Sequence, residues 1–176
     1  MTMLARKISR AKWEPIDYLA ENEIRADAIS GGCLRTSGDT LSWWRCSGDE
    51  DDVAEVALAI ATGPTKTTFD KIDVVVLPEE ELAAASLTTK SEAGDTPIKD
   101  LKLRHVNVVR LDVERLAIIA RILAPRIRTG KNVFTFTKGK LKTLVSTAIK
   151  AERLNRNDLN KKLQEELAKS TNGPGS

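Results

Sequence analysis

The sequence predicts an α/β or α+β protein: a small mixed sheet with an N-terminal β-hairpin, flanking helices and a C-terminal helical extension. Three observations carry this expectation. "KIDVVVLP" and "LKLRHVNVVRLD" are apolar runs of strand length, rich in β-branched residues. Segments whose apolar residues recur at helical spacing alternate with these runs and then close the chain. Gly38-Asp39 stands between two short segments and has the chemistry of a tight hairpin turn.

Taken in order, "ARKISRAKW" reads as an opening strand and "PIDYLAENEIRADAIS" as a polar loop with a short helical turn. Pairing about Gly38-Asp39 sets Leu34 opposite Trp43 and Thr36 opposite Leu41. Leu34, Leu41 and Trp43 then share one face, and Cys33, Arg35, Ser42 and Trp44 the other. "SGDEDDVAEVALAIATG" predicts a helix, because its acids gather where the dipole is positive and Gly63 is a natural stop. Val53, Val56, Ala57 and Ile60 form its buried stripe.

"KIDVVVLP" predicts a strand covered on both faces and central in the sheet, and Pro78 with three glutamates opens the helix "PEEELAAASL". "TTKSEAGDTP" is expected to be a surface loop and "LKLRHVNVVRLD" a second interior strand. Asp112 caps "VERLAIIARILAPRIR", whose Leu116, Ile119, Ala120, Leu123 and Ile127 lie on one face; Pro125 is expected to kink it or end it early. Thr129-Gly130 stops that helix, and "NVFTFT" predicts a last short strand. Thr137 caps a helix with the stripe Leu141, Leu144, Val145, Ala148 and Ile149. A final helix from about Asp158 keeps Leu159, Leu163 and Leu167 at a spacing of four, and "STNGPGS" is a frayed end. The expected division is a mixed α/β domain over 1–130 and a basic helical extension over 131–176.

The formal net charge of +3 hides an asymmetry: residues 1–100 carry 11 Lys and Arg against 19 Asp and Glu, whereas 101–176 carry 17 against 6. Such a division points either to an electrostatic partner for one half or to self-complementation between the two. No apolar run approaches the ~20 residues needed to span a bilayer, and no apolar stretch follows the basic start "MTMLARKISRAKWEP". With two cysteines, Cys33 and Cys46, and no CxxC spacing, the expectation is a cytoplasmic protein without a membrane segment.

Catalytic signatures are sparse. His105 is the single histidine and sits in a strand pattern, where a structural or surface role is expected. Cys33, Cys46 and His105 offer at most three soft ligands without close pairing, so neither a metal nor a cofactor is expected. "ATGPTKTTFD" is no phosphate loop: Thr65 precedes Lys66 where glycine is required, and the stretch follows a helix. Neither Gly31-Gly32 nor "TKGKLK" completes a dinucleotide fingerprint. Asp73 with Asp100 and Lys102 loosely resembles the D…(D/E)xK metal site of restriction-type nucleases.

Binding readings are better supplied. Trp43 and Trp44 alternate across a strand, so Trp44 is a candidate exposed anchor unless both faces are covered. In the basic segment the candidate interaction residues are Lys138, Lys140, Lys142, Lys150, Arg153, Arg156, Lys161 and Lys162. Asn155, Arg156, Asn157 and Asn160 at the helix junction carry the side-chain types that read base edges, and the two helices form either a helix-turn-helix or a plain helical hairpin. The preferred expectation is a non-catalytic cytosolic accessory, adaptor or immunity-type protein that binds a protein partner through this surface. The alternative is a nucleic-acid-binding regulator using residues 138–162, and the third is a metal-dependent nuclease-like enzyme.

Overall fold

The computed structural model describes residues 1–17, 20, 23–30 and 33–171, the last two by their backbone alone. It is a mixed α+β fold. Six strands, β1 (Met3–Ile8), β2 (Leu41–Cys46), β3 (Ile72–Pro78), β4 (Thr88–Ser91), β5 (His105–Val109) and β6 (Val133–Phe136), form one sheet in the order β4-β5-β2-β1-β3-β6. All five pairings are antiparallel. The helices are α1 (Ala26–Ser30), α2 (Glu50–Ala61), α3 (Glu79–Ala84), α4 (Lys99–Lys102), α5 (Val113–Thr129), α6 (Lys138–Lys150) and α7 (Lys161–Thr171).

Successive residues of β3 divide between two apolar clusters, one on each face of the sheet. Val74 and Val76 join α2, α6 and α7, whereas Val75 and Leu77 join α5. This double cover explains why "KIDVVVLP" lacks polar alternation: Ile72 to Leu77 are all buried. The C-terminal segment takes part in the first cluster. Phe136, Leu141, Val145 and Ala148 pack there with Leu154, Leu159, Leu163 and Leu167, beside Val53 and Ala57 of α2. Its strand β6 is paired to β3 from Ile72↔Phe136 to Val75↔Val133.

Local chemistry accounts for the element ends. Asp49, Asp112 and Thr137 accept N-cap bonds from Asp52, Arg115 and Lys140, and Gly130 closes α5 in the left-handed region at φ 72°. Pro125 lies inside α5, which runs uninterrupted to Thr129. Pro125 and Arg121 are both on the exposed side, so water can satisfy the Arg121 carbonyl that loses its helical donor.

The region around Gly38-Asp39 differs in detail from the sequence reading. Both residues have positive φ, 58° and 56°, as a two-residue hairpin turn requires, yet the limb before them contributes only the bridge Ser37↔Thr40. The reason is competition. β2 is interior and its edges pair with β1 and β5, so Trp43 faces Val106 and not Leu34. Leu34, Leu41 and Trp43 still share a cluster, but Cys33 joins it. "TTKS" forms the edge strand β4 where a loop was expected, and "KDLK" is helical, leaving His105–Val109 as the strand. The "STNGPGS" end lies largely outside the described residues.

β1 and β2 part company at one end. They share three pairs, Met3↔Cys46, Leu4↔Arg45 and Ala5↔Trp44. From Arg6 onward β1 keeps only β3 as its partner, and β2 from Trp43 to Leu41 keeps only β5, leaving a fork between two central strands.

Candidate functional site: the cations of the C-terminal helices

The eight candidate cations of α6, its C-terminal connection and the start of α7 separate into two sets. Lys138, Lys140 and Lys142 crowd the first turns of α6, where cations oppose the helix dipole. Acids of the same chain offset that cost. Lys138 and Lys142 pair with Glu166 of α7, and Lys140 pairs with Glu50 of α2 while lying 5.1 Å from the Phe136 ring centroid. Arg153, just past α6, grips both Glu55 carboxylate oxygens at 3.1 and 2.6 Å and Asp100 at 2.8 Å. These bonds raise the Arg153 pKa above its ordinary value, the Glu55 bonds contributing most.

Four of the eight candidate cations are therefore spent within the molecule. Glu50 and Glu55 lie on α2 with Asp52, which pairs with Arg104, so α2 presents an acidic side to cations from two later parts of the chain. Glu166 also accepts from the Phe69 backbone N–H at 3.0 Å, tying α7 to the loop after α2. Burial alone would push the Glu166 carboxyl up, but Lys138, the Phe69 N–H and Lys142 outweigh it and hold the pKa below the usual range.

The second set is Lys150, Arg156, Lys161 and Lys162, all exposed, at the corner where α6 ends and α7 begins. Arg156 donates to the Gln164 carbonyl at 2.9 Å, and none of the four has a carboxylate partner among the described residues. Ten residues separate Lys150 from Lys161, against the three or four of a helix-turn-helix connection. Leu154 and Leu159 in that connection are buried, which makes the pair a docked helical hairpin.

Trp44 is not an exposed anchor: helices and loops cover both sheet faces, and both rings are core, Trp44 8% and Trp43 0% exposed. The Trp44 ring stacks edge-on against His105 with centroids 5.0 Å apart. Gly94 permits this, since a Cβ there would stand 2.5 Å from the ring and 2.8 Å from the His105 Cβ. His105 Nδ1 is also 3.2 Å from the Glu92 carbonyl, and burial lowers its pKa.

The carboxylates of the nuclease-like pattern are engaged separately. Asp73 accepts from the Thr135 hydroxyl at 2.7 Å and pairs with Lys71, whereas Asp100 belongs to α4 and to Arg153. Among the described residues no group of three or more His, Cys, Asp or Glu is arranged to hold a metal. No family model, curated protein or solved structure matches this chain.

One cationic group escaped the sequence reading. Lys66, in the loop after α2, stands against Lys7 of β1, and burial followed by the Lys7 charge lowers its pKa to about 8. Arg6, the residue before Lys7 in β1, points to the other face of the sheet and is buried, at 8% exposure. A cation within the strand pattern "LARKI" was the one available signal, and it does not reveal what the side chain meets.

Proposed function

We propose that the protein is a non-catalytic accessory or adaptor protein, acting in the cytoplasm, that docks an acidic surface of a protein partner on the α6–α7 corner. The observation that supports this reading is the division of the cations. Lys138, Lys140, Lys142 and Arg153 meet acids of their own chain, while Lys150, Arg156, Lys161 and Lys162 are exposed without one among the described residues. Cations left without carboxylates on a hairpin docked through buried leucines are held ready for complementary charge, which steers encounter and fixes register. Two buried free thiols suit a reducing compartment, and among the described residues no helix is long and apolar enough to cross a membrane.

Affinity capture from the native cell tests this, with the wild-type chain beside the double variants Lys161→Glu/Lys162→Glu and Lys138→Glu/Lys140→Glu. A protein recovered with wild type and lost with the corner variant supports the reading. Equal recovery with the corner variant refutes it.

The nucleic-acid alternative draws on the same four cations with Asn155 and Asn157. It requires duplex DNA or RNA affinity that falls by orders of magnitude between about 50 and 200 mM salt.

A further inference from the structure

The fork between β1 and β2 holds an arginine whose charge no acid balances among the described residues. Arg6 lies on the last paired stretch of β1, opposite the position where β2 has left the ladder, and its guanidinium bridges the gap. Its Nε donates to the Cys33 carbonyl at 2.6 Å and one Nη to the Ser42 carbonyl, with the Trp43 ring centroid 5.9 Å away. These bonds use two of the five N–H groups, and the remainder have no acceptor among the described residues.

A buried cation is ordinarily matched by a carboxylate, because carbonyl dipoles replace its hydration only in part. Burial pulls the Arg6 pKa down to about 10, with Cys33 opposing the shift only in part. The side chain therefore remains charged at neutral pH in a place that disfavours charge.

Beside it a cavity of about 340 Å³ opens between the strands, lined by Arg6, Lys7, Ser9, Ser42, Trp44 and Ile60 among others. Its lining brings the polar residues Arg6, Lys7, Ser9 and Ser42 together with the apolar Trp44 and Ile60. Lys66, held against Lys7, adds a second concentration of positive charge nearby.

We propose that this fork is a binding site for a carboxylate with a short apolar body, the carboxylate meeting Arg6 in the gap between the strands and the body lying against Trp44 and Ile60. The Arg6 guanidinium, which donates only to carbonyls among the described residues, calls for an anion, and the indole and isoleucine reward a hydrocarbon part that phosphate lacks. The same chemistry is found in a free small acid and in the C-terminus of a peptide. The site is distinct from the α6–α7 corner and does not depend on it.

Titration of the full chain with 3-phenylpropionate, followed by NMR of the Arg6 Nε–H and the Trp indole N–H signals, tests the proposal. The expected result is a saturable shift of the Arg6 and Trp44 signals with a Kd on the order of 0.1 to 1 mM. 3-Phenylpropionamide should bind at least about tenfold more weakly, since it lacks the charge that Arg6 requires. Ile60→Trp, at the cavity lining, and Arg6→Met should each weaken binding by a similar factor. If Arg6→Met does not fold, the wild-type shifts and Ile60→Trp still decide.

A capped tripeptide with a free C-terminal carboxylate and its amidated form provide the second arm. Binding of either carboxylate at the fork supports the site and identifies its source. Absence of shifts for both, equal binding of the amides, or shifts confined to other residues would overturn it.

Discussion

Leu141→Ala asks whether the C-terminal segment folds as one cooperative unit with the sheet. Leu141 is 0% exposed and borders Ala61, Phe69 and Ile72 around a residual cavity of about 20 Å³. Leu-to-Ala replacements in such surroundings cost about 2.7 to 5 kcal/mol. The site should fall near the lower end, because Lys7 and Lys66 line the same cavity and give water a route in. A cost of about 3 kcal/mol with a urea slope of about 2 kcal/mol per molar lowers the unfolding midpoint by about 1.5 M.

Tryptophan fluorescence is the discriminating probe. Trp13, Trp43 and Trp44 are all buried and all precede residue 131, so their emission reports the sheet and its N-terminal surroundings. Cooperative folding predicts that the fluorescence and far-ultraviolet circular dichroism midpoints fall together. An unchanged fluorescence midpoint, with helical signal lost early, would refute the packing argument. Thr143→Ala, on the exposed side of α6, should change the midpoint by no more than about 0.5 kcal/mol equivalent.

Other outcomes follow from single contacts. Gly94→Ala should destabilise by about 1 to 3 kcal/mol, because its Cβ would fall 2.5 Å from Trp44; the cost should shrink in a Trp44→Leu background, and an equal cost in both backgrounds would contradict the contact. Glu166→Gln removes the partner of Lys138 and Lys142 and should cost about 1 to 2 kcal/mol near neutral pH. Since the folded Glu166 pKa is depressed, its contribution is complete above the unfolded value and lost as pH falls through the folded one; the wild-type advantage in urea should shrink steadily as the solution is acidified below the ordinary glutamate range. Lys66, with its pKa near 8, should react with acetic anhydride at about pH 8 well ahead of Lys90 by peptide mass mapping, and Lys7→Ala should slow it. Rates matching Lys90 in the wild type would rule out the close Lys7–Lys66 pair.

Much of the fold is legible from local chemistry. Caps at Asp49, Asp112 and Thr137, the stop at Gly130 and the apolar stripe of α6 are each written in neighbouring residues, because the groups they satisfy lie within a turn of them. The strand pairings are not. Gly38-Asp39 adopts the backbone of a hairpin turn, yet β2 pairs with β1 and β5, since a central strand selects partners from the whole chain. Trp44 likewise reads as alternating outward, and only the cover on both sheet faces determines that it is core.

The candidate sites divide in the same way. By itself the sequence determined the charge asymmetry and the regular stripe that obliges α6 to dock, because composition and periodicity are local properties. Tertiary structure decided which cations remain available, by setting Glu50, Glu55, Asp100 and Glu166 beside Lys140, Arg153, Lys138 and Lys142. It also placed Arg6 in a fork where no acid among the described residues pairs with it. Electrostatic partnership depends on distance and desolvation, and neither is set until distant segments meet.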